Sequence, residues 1–306
     1  MSQPATPSID PLTQWMLQNA PKTPLELRRL LDGFAPLMNA ELPAVGACHE
    51  AVPVCEGVTA DVVVPQGAGP HPVLVYLHGG GWVCGSPRTH KKLGHRFAEA
   101  GFLVMNVDYR LAPEHPFPTP FEDCLAAVRF ARREAARFGG DPGRLALGGD
   151  SAGANLAAAV AAALAGDSAR PKAALLLYGV YDFGRFQGEL PGAANASREA
   201  GAIGRELVEM MVGAYLGKTR TEEALRDPRV SPLFAAEKLP PCHVVVGSAD
   251  ELAPQSEALV KALAAAGVPH EHFVDAGMPH GYAQMEFLPG ARPALERMVA
   301  FLRRTV

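Results

Sequence analysis

At 306 residues the chain is long enough for one large α/β domain or two small ones. Its 48% hydrophobic and 20% charged residues build a sizeable core, which excludes a disordered or fibrous class. A formal net charge of −4 leaves no basic footprint, so neither nucleic acid nor an anionic membrane surface is an expected partner.

The first periodic segment is a helix over 25–37, where Leu25, Leu27, Leu30, Leu31 and Phe34 supply an apolar stripe. No strand follows at once, so this helix reads as an appendage that packs on something else. Alternation over 48–65 predicts two antiparallel edge strands, the second at 58–64. From Val73 the rhythm changes to apolar strands separated by helices. Strands are predicted at 73–77, 102–109, 143–147, 173–178, 243–247 and 270–274, and helices at 89–100, 121–138, 152–165, 255–266 and 293–304. Such alternation signals a mostly parallel sheet covered by helices on both faces. Residues 182–239 interrupt it with loop and one helix near 199–216. A long insertion after the C-terminal end of a strand tends to lie over an active-site mouth. No repeat or linker divides the chain, so the expectation is a single domain over 1–306 with a helical cap from about 1–45 and 182–239.

The organising stretch is Gly149-Asp150-Ser151-Ala152-Gly153, a G-x-S-x-G sequence between the strand at 143–147 and a helix that is nearly all alanine. A strand that turns straight into a helix forces its middle residue into strained backbone. Glycines two before and two after leave room for strand and helix to pack closely. A serine there is held out at the end of the sheet, beside a helix N-terminus that favours negative charge. Taken alone, the motif could equally be a Ser/Asp helix cap in a glycine-rich turn.

His78-Gly79-Gly80-Gly81-Trp82 follows directly on the strand at 73–77. Successive glycines let backbone N–H groups turn inward, as an oxyanion hole requires. Phosphate loops fail on spacing: there is no G-x-G-x-x-G here, and the elbow lacks the following Lys-Ser/Thr. A serine nucleophile needs a base, and the base an orienting carboxylate, which in α/β-hydrolases follow in the order acid, then histidine. Asp250 sits after the strand at 243–247 and His280 after the last strand, matching that order. Glu251 is the alternative acid; Asp108 and Asp123 precede the elbow and fall in the wrong order. Asp150 adjoins the serine but reads as a structural hydrogen-bonding group. His270 and His272 share a strand face, yet no carboxylate or cysteine motif stands beside them and no metal site is expected. His243 opens a strand and reads as structural.

With these motifs, and with Tyr109-Arg110-Leu111-Ala112-Pro113-Glu114 followed by His115-Pro116-Phe117-Pro118, the chain from about Val73 onward resembles the bacterial branch of the hormone-sensitive-lipase family of α/β-hydrolase esterases. The resemblance implies an eight-stranded sheet, a helical cap and carboxylester hydrolysis of a small-molecule ester without cofactor. It assigns Ser151 as nucleophile, His280 as base and Asp250 as orienter, and gives the oxyanion donors as the N–H groups of Gly80, Gly81 and Ala152. His78 and Gly79 then support the glycine loop, and Arg110 and Glu114 tie the Tyr109–Pro118 stretch down beside the elbow. Phe34, Trp82, Leu207 and Met211 are the candidates for lining the substrate pocket, and short to medium acyl chains the expected substrates. Two departures stand out: such esterases often carry an acidic pair where this chain has Pro254 and Gln255, and a phenylalanine where it has Tyr282. The same machinery would also serve an amide. Plant gibberellin receptors resemble these esterases but lack the triad histidine, which is present here.

Five cysteines (Cys48, Cys55, Cys84, Cys124, Cys242) are odd in number and form no C-x-x-C pair, so a reducing, cytoplasmic setting is expected. Residues 1–25 carry no signal pattern, and the longest apolar run, 156–165, is too short to cross a bilayer. Oligomeric state stays open between a monomer and a homodimer paired through an exposed edge strand.

Overall fold

In the computed structural model, which describes residues 21–188, 204–217 and 220–306, the strands are β1 (Ala47–Cys55), β2 (Val58–Val64), β3 (His71–Leu77), β4 (Leu103–Asp108), β5 (Gly140–Asp150), β6 (Ala173–Leu177), β7 (Cys242–Gly247) and β8 (His270–Asp275). The helices are α1 (Pro24–Met38), α2 (Lys91–Glu99), α3 (Thr119–Glu134), α4 (Ala152–Ala163), α5 (Phe183–Gly188), α6 (Arg205–Leu216), α7 (Glu222–Leu225), α8 (Ala253–Ala265) and α9 (Ala291–Thr305). All eight strands join one sheet in the order β1-β2-β4-β3-β5-β6-β7-β8. Only β2 runs against its neighbours, and every pairing from β4 to β8 is parallel. This is the α/β-hydrolase fold: a mostly parallel sheet between two helical layers. The expected segment before residue 21, and residues 199–203 of the insertion helix, lie outside the described residues.

Strand β3 shows why the sheet is two-sided. Successive side chains of a strand point to opposite faces. Val73, Val75 and Leu77 accordingly join the core under α3, α4 and α8, while Leu74 and Tyr76 join the core under α2 and α9. A run of buried β-branched and aromatic residues therefore satisfies both layers at once. In α4 every residue from Ala152 to Ala162 is buried, because small side chains let this helix sit directly on the sheet.

The strand order places the site. From β3 the chain moves outward to β4, then crosses back so that β5 pairs on the other side of β3. Connections leave the C-terminal ends of β3 and β5 in opposite directions, which opens a crevice there. The last ladder pair between these strands is Leu77 with Gly149, so the glycine loop and the serine elbow emerge side by side.

Element ends differ from the sequence reading for identifiable reasons. The helix expected over 121–138 is α-helical to Glu134 and closes as a 3-10 turn, Ala135–Phe138, stopped by left-handed Gly139. The helix expected from 89 starts at Lys91, because the Thr89 hydroxyl is engaged with Ser86 in the preceding turn. Within the insertion the described residues form α5, α6, α7 and a 3-10 segment, Pro232–Lys238. Helix α6 rests on α1, and the Arg28 guanidinium of α1 reaches the carbonyls of Val83 and Ala112.

A Cβ placed on Gly153 would stand 1.9 Å from the Leu77 carbonyl oxygen and 2.6 Å from that of His78. Both are backbone atoms and cannot swing aside. Gly153→Ala is therefore expected to lose about 3 kcal/mol of unfolding free energy, measured by urea titration. A loss below about 0.5 kcal/mol, the range of a neutral surface change, would mean that strand and helix can part without cost.

Candidate active site

Ser151 holds φ 53° and ψ −118°, a conformation L-residues avoid. Its surroundings enforce it. A Cβ on Gly149 would meet Gly153 at 2.5 Å, and the Ser151 amide donates to the Leu177 carbonyl at 2.8 Å. The half-buried serine hydroxyl lies 2.9 Å from His280 Nε2, and His280 Nδ1 lies 2.9 Å from Asp250 Oδ2. With its Nδ1 proton donated to Asp250, the imidazole presents Nε2 as an acceptor to the serine.

The loops bearing Asp250 and His280 are pressed together by another glycine. A Cβ on Gly247 would stand 1.9 Å from the Met278 carbonyl oxygen, and the Ala249 amide donates to that same oxygen. Asp250 is buried and its second oxygen accepts the Leu252 amide at 2.8 Å. Glu251, the alternative acid, is partly buried, and His280 Nδ1 pairs with Asp250 instead. Burial, reinforced by the neighbouring Asp250 charge, raises the Glu251 pKa above its ordinary value. Burial works against the imidazolium of His280, but the charge and hydrogen bond of Asp250, with smaller help from Asp150 and Glu251, outweigh it and leave the pKa above the ordinary 6.5.

On the other side of the serine, Gly80, Gly81 and Trp82 take φ values of 124°, 59° and 62° in succession. At Gly80 a side chain is also excluded by space, since a Cβ would fall 2.2 Å from the Cys84 carbonyl oxygen. The amides of Val83 and Cys84 close the turn on the Gly80 carbonyl. Among the described residues none accepts a hydrogen bond from the N–H groups of Gly80, Gly81 or Ala152. The Gly79 amide donates to Asp150 Oδ1 at 3.0 Å. His78 stacks on Tyr109 with ring centroids 4.3 Å apart and bonds the Gly79 carbonyl through Nδ1. Burial and the neighbouring His90 push the His78 pKa down to about 3, so its ring stays neutral. It is a packing group of the loop.

The four candidate pocket residues separate. Met211 lies against the glycine loop: a Cβ on Gly81 would meet its sulfur at 2.0 Å. Leu207, one turn earlier on α6, is half-buried. Phe34 is 44% exposed on α1. Trp82 is only 2% exposed, stacked on Tyr215 at 4.7 Å and tilted against Phe183 at 5.0 Å, with its indole N–H donated to Asn155. Its ring therefore lies in the packing beneath α6, as core and not as an open wall.

Asn155 escapes the sequence reading. Buried in the alanine helix α4, it accepts from Trp82 and donates to the carbonyls of Val180 and Val230, joining the glycine loop to both ends of the insertion. The one signal available was an amide within an otherwise apolar helix. Gln255, at the departure from the family pattern, is equally engaged. Its Oε1 accepts the amides of Tyr181 and Asp182 at 2.9 and 2.8 Å, and its Nε2 donates to the Asp182 carbonyl. The substitution thus anchors the start of the insertion. Tyr282 is buried, with its hydroxyl on Asp275, which also pairs with Arg297.

In the Tyr109–Pro118 stretch Arg110 grips buried Asp123 through two side-chain bonds, while Glu114 turns outward to Arg28 of α1 at 2.6 Å. The stretch is therefore held from two sides, and Tyr109 donates its hydroxyl to the His78 carbonyl. His243 is buried against Phe273 and Phe301. His270 bonds the Val268 carbonyl. Among the described residues no three His, Cys, Asp or Glu side chains are grouped to hold a metal ion.

Residues 74–284 match the family model described as the alpha/beta hydrolase fold. The chain is 37% identical over 246 residues to the carboxylic ester hydrolase LipN of Mycobacterium tuberculosis, covering 75% of this chain and 62% of that protein. It is 35% identical over 239 residues to the carboxylesterase NlhH of the same organism, covering 77% and 74% respectively. Among solved structures, the esterase of Pyrobaculum calidifontis superposes with a TM-score of 0.84 at 29% identity, over 97% of this chain and 99% of the other.

Replacing Gln255 by leucine would leave two buried amides without an acceptor. The expected cost is about 2 kcal/mol of stability, the low end of the penalty for each of the two orphaned amides, read as a lower midpoint in urea. Unchanged stability would mean that the insertion does not depend on this side chain.

Proposed function

Because the chain belongs to the alpha/beta hydrolase fold family, in its hormone-sensitive-lipase-like group, we propose that it is a serine carboxylesterase acting on small esters of short to medium acyl chain. The observation that carries this reading is the unbroken hydrogen-bonded chain from Ser151 through His280 to Asp250, two contacts of 2.9 Å, at a strained strand-to-helix turn. His280 Nε2 takes the hydroxyl proton as Ser151 Oγ attacks the ester carbonyl. The resulting oxyanion is stabilised by the N–H groups of Gly80, Gly81 and Ala152. As the tetrahedral intermediate collapses, His280 returns the proton to the departing alkoxide and an acyl-serine remains. Water, deprotonated by His280, then releases the acid and restores the serine. No cofactor enters this sequence.

Ester rather than amide is favoured by the relatives, whose names speak of carboxylic esters. Met211 over Gly81 narrows the approach to the oxyanion loop, which supports a preference for short acyl groups. Helices α1 and α5–α7 form the cap. All five cysteines are free, which suits a reducing, cytoplasmic setting, and among the described residues no helix is long and apolar enough to cross a membrane.

The first test is hydrolysis of p-nitrophenyl esters across acyl lengths by wild type and Ser151→Ala. Turnover is expected to be greatest for short chains and to fall on the order of 10⁴- to 10⁶-fold in the variant. Activity surviving in Ser151→Ala would remove the serine from the mechanism, and p-nitroanilide turnover exceeding ester turnover would make it an amidase.

The pH profile follows from the base. His280 acts only when neutral, and its pKa lies above the ordinary 6.5. kcat/KM is therefore expected to fall on acidification with an apparent pKa above about 6.5. A profile flat from pH 5 to 9 would contradict His280 as base.

A further inference from the structure

Asp150 precedes the nucleophile, and its side chain is 3% exposed. Its carboxylate is saturated with donors from separate parts of the chain. Oδ1 accepts the Tyr76 hydroxyl from β3 at 3.0 Å and the Gly79 amide from the glycine loop at 3.0 Å. Oδ2 accepts Gln284 Nε2 at 2.6 Å, from the turn that follows His280. His90, at the start of α2, stands with Nε2 3.2 Å from Oδ1, its other nitrogen held by Thr89. Space is closed as well: a Cβ on Gly79 would fall 2.4 Å from Oδ2.

Burying a carboxylate is costly unless donors replace its water. Burial disfavours the Asp150 anion, but the charge and hydrogen bond of His90 and the hydrogen bond of the Tyr76 hydroxyl outweigh it and keep the pKa below the ordinary carboxylate value. One fixed anion thus touches the loop that would hold the oxyanion and the turn that continues the base loop. We propose that Asp150 is a positioning residue of the hydrolysis, locking the glycine loop through the Gly79 N–H and the His280 loop through Gln284 so that both keep register with Ser151. The proposal rests on the esterase reading above.

The charge has a consequence for the base. The groups facing His280 are Asp250 and Glu251 from the loop after β7, Asp150 and Ser151 from the elbow, and Tyr178 from the end of β6 with ring centroids 5.0 Å away. Asp150 is one of three anions that favour the imidazolium. Removing its charge therefore lowers the basicity of His280. A residue that merely packed would not do so.

The test compares wild type, Asp150→Asn and Gln284→Met, each checked by urea unfolding. The His280 imidazole is titrated by NMR, with its signal assigned from His280→Gln, and kcat and KM for p-nitrophenyl acetate are measured from pH 5 to 9. Asparagine presents an amide where Gln284 and His90 already offer N–H groups. Asp150→Asn is expected to lower kcat on the order of 10²-fold with KM within about threefold, and to move both the His280 titration and the acid limb of kcat/KM to lower pH. Gln284→Met keeps the charge, so kcat falls about tenfold with the His280 titration unmoved. An unshifted His280 titration in folded Asp150→Asn, together with kcat within about twofold of wild type, overturns the proposal. If Asp150→Asn does not fold, a Gln284→Met enzyme with wild-type kcat overturns it. A wild type that hydrolyses no ester defeats the esterase reading alone, because the NMR titration still reports whether Asp150 acts on His280.

Discussion

The contact on which the site depends is between backbone and backbone. Gly149 and Gly153 bring the end of β5 and the first turn of α4 against the Leu77 carbonyl, at distances where any side chain would collide. Three results follow from this closeness. Ser151 is forced to positive φ, a strain on the order of 1–3 kcal/mol. The N-terminus of α4 is placed beside the serine, with its first amide free of an intrahelical partner. The glycine loop, as the direct continuation of β3, emerges next to the elbow. The burial of α4 from Ala152 to Ala162 keeps the strained turn in place.

Loops at the carboxyl edge of a sheet carry amides and carbonyls that no ladder satisfies. Here they are met by polar side chains rooted in rigid elements. Asn155 from α4 takes the carbonyls of Val180 and Val230, Gln255 from α8 takes the amides of Tyr181 and Asp182, and Asp150 from β5 takes the amide of Gly79. Each buried group is satisfied by several partners, the condition under which a buried polar network stiffens a structure. These loops are irregular in shape but fixed in position.

What the sequence revealed and what it hid divide along the same line. Strand β3 was legible because burial on two faces demands an unbroken apolar run, and the elbow because only glycine tolerates the contacts at Gly149 and Gly153. The order of Asp250 and His280 was legible because each follows a strand that the same apolar logic identifies. Asn155, Gln255, His90 and Gln284 were not, since their partners lie in loops far along the chain and no local spacing encodes them. Trp82 was misleading for a related reason. It was a candidate for lining the pocket, but its ring lies under α6, stacked on Tyr215.

The electrostatics set a limit on what these anions can contribute. Asp250 contacts the His280 ring directly, while Asp150 and Glu251 act on it through space. All three favour the imidazolium that the proposed hydrolysis forms whenever the serine or water is deprotonated, and so stabilise the charged transition state of that proposed reaction. The same preference reduces the fraction of neutral base at acidic pH. The gain is therefore realised only above the raised pKa of His280, and below it the two effects offset each other. An anion fixed in place by four donors is useful under that constraint, because a mobile one would change the base strength with every fluctuation of the loop. Rigidity at Asp150 and basicity at His280 are thus two consequences of one buried charge.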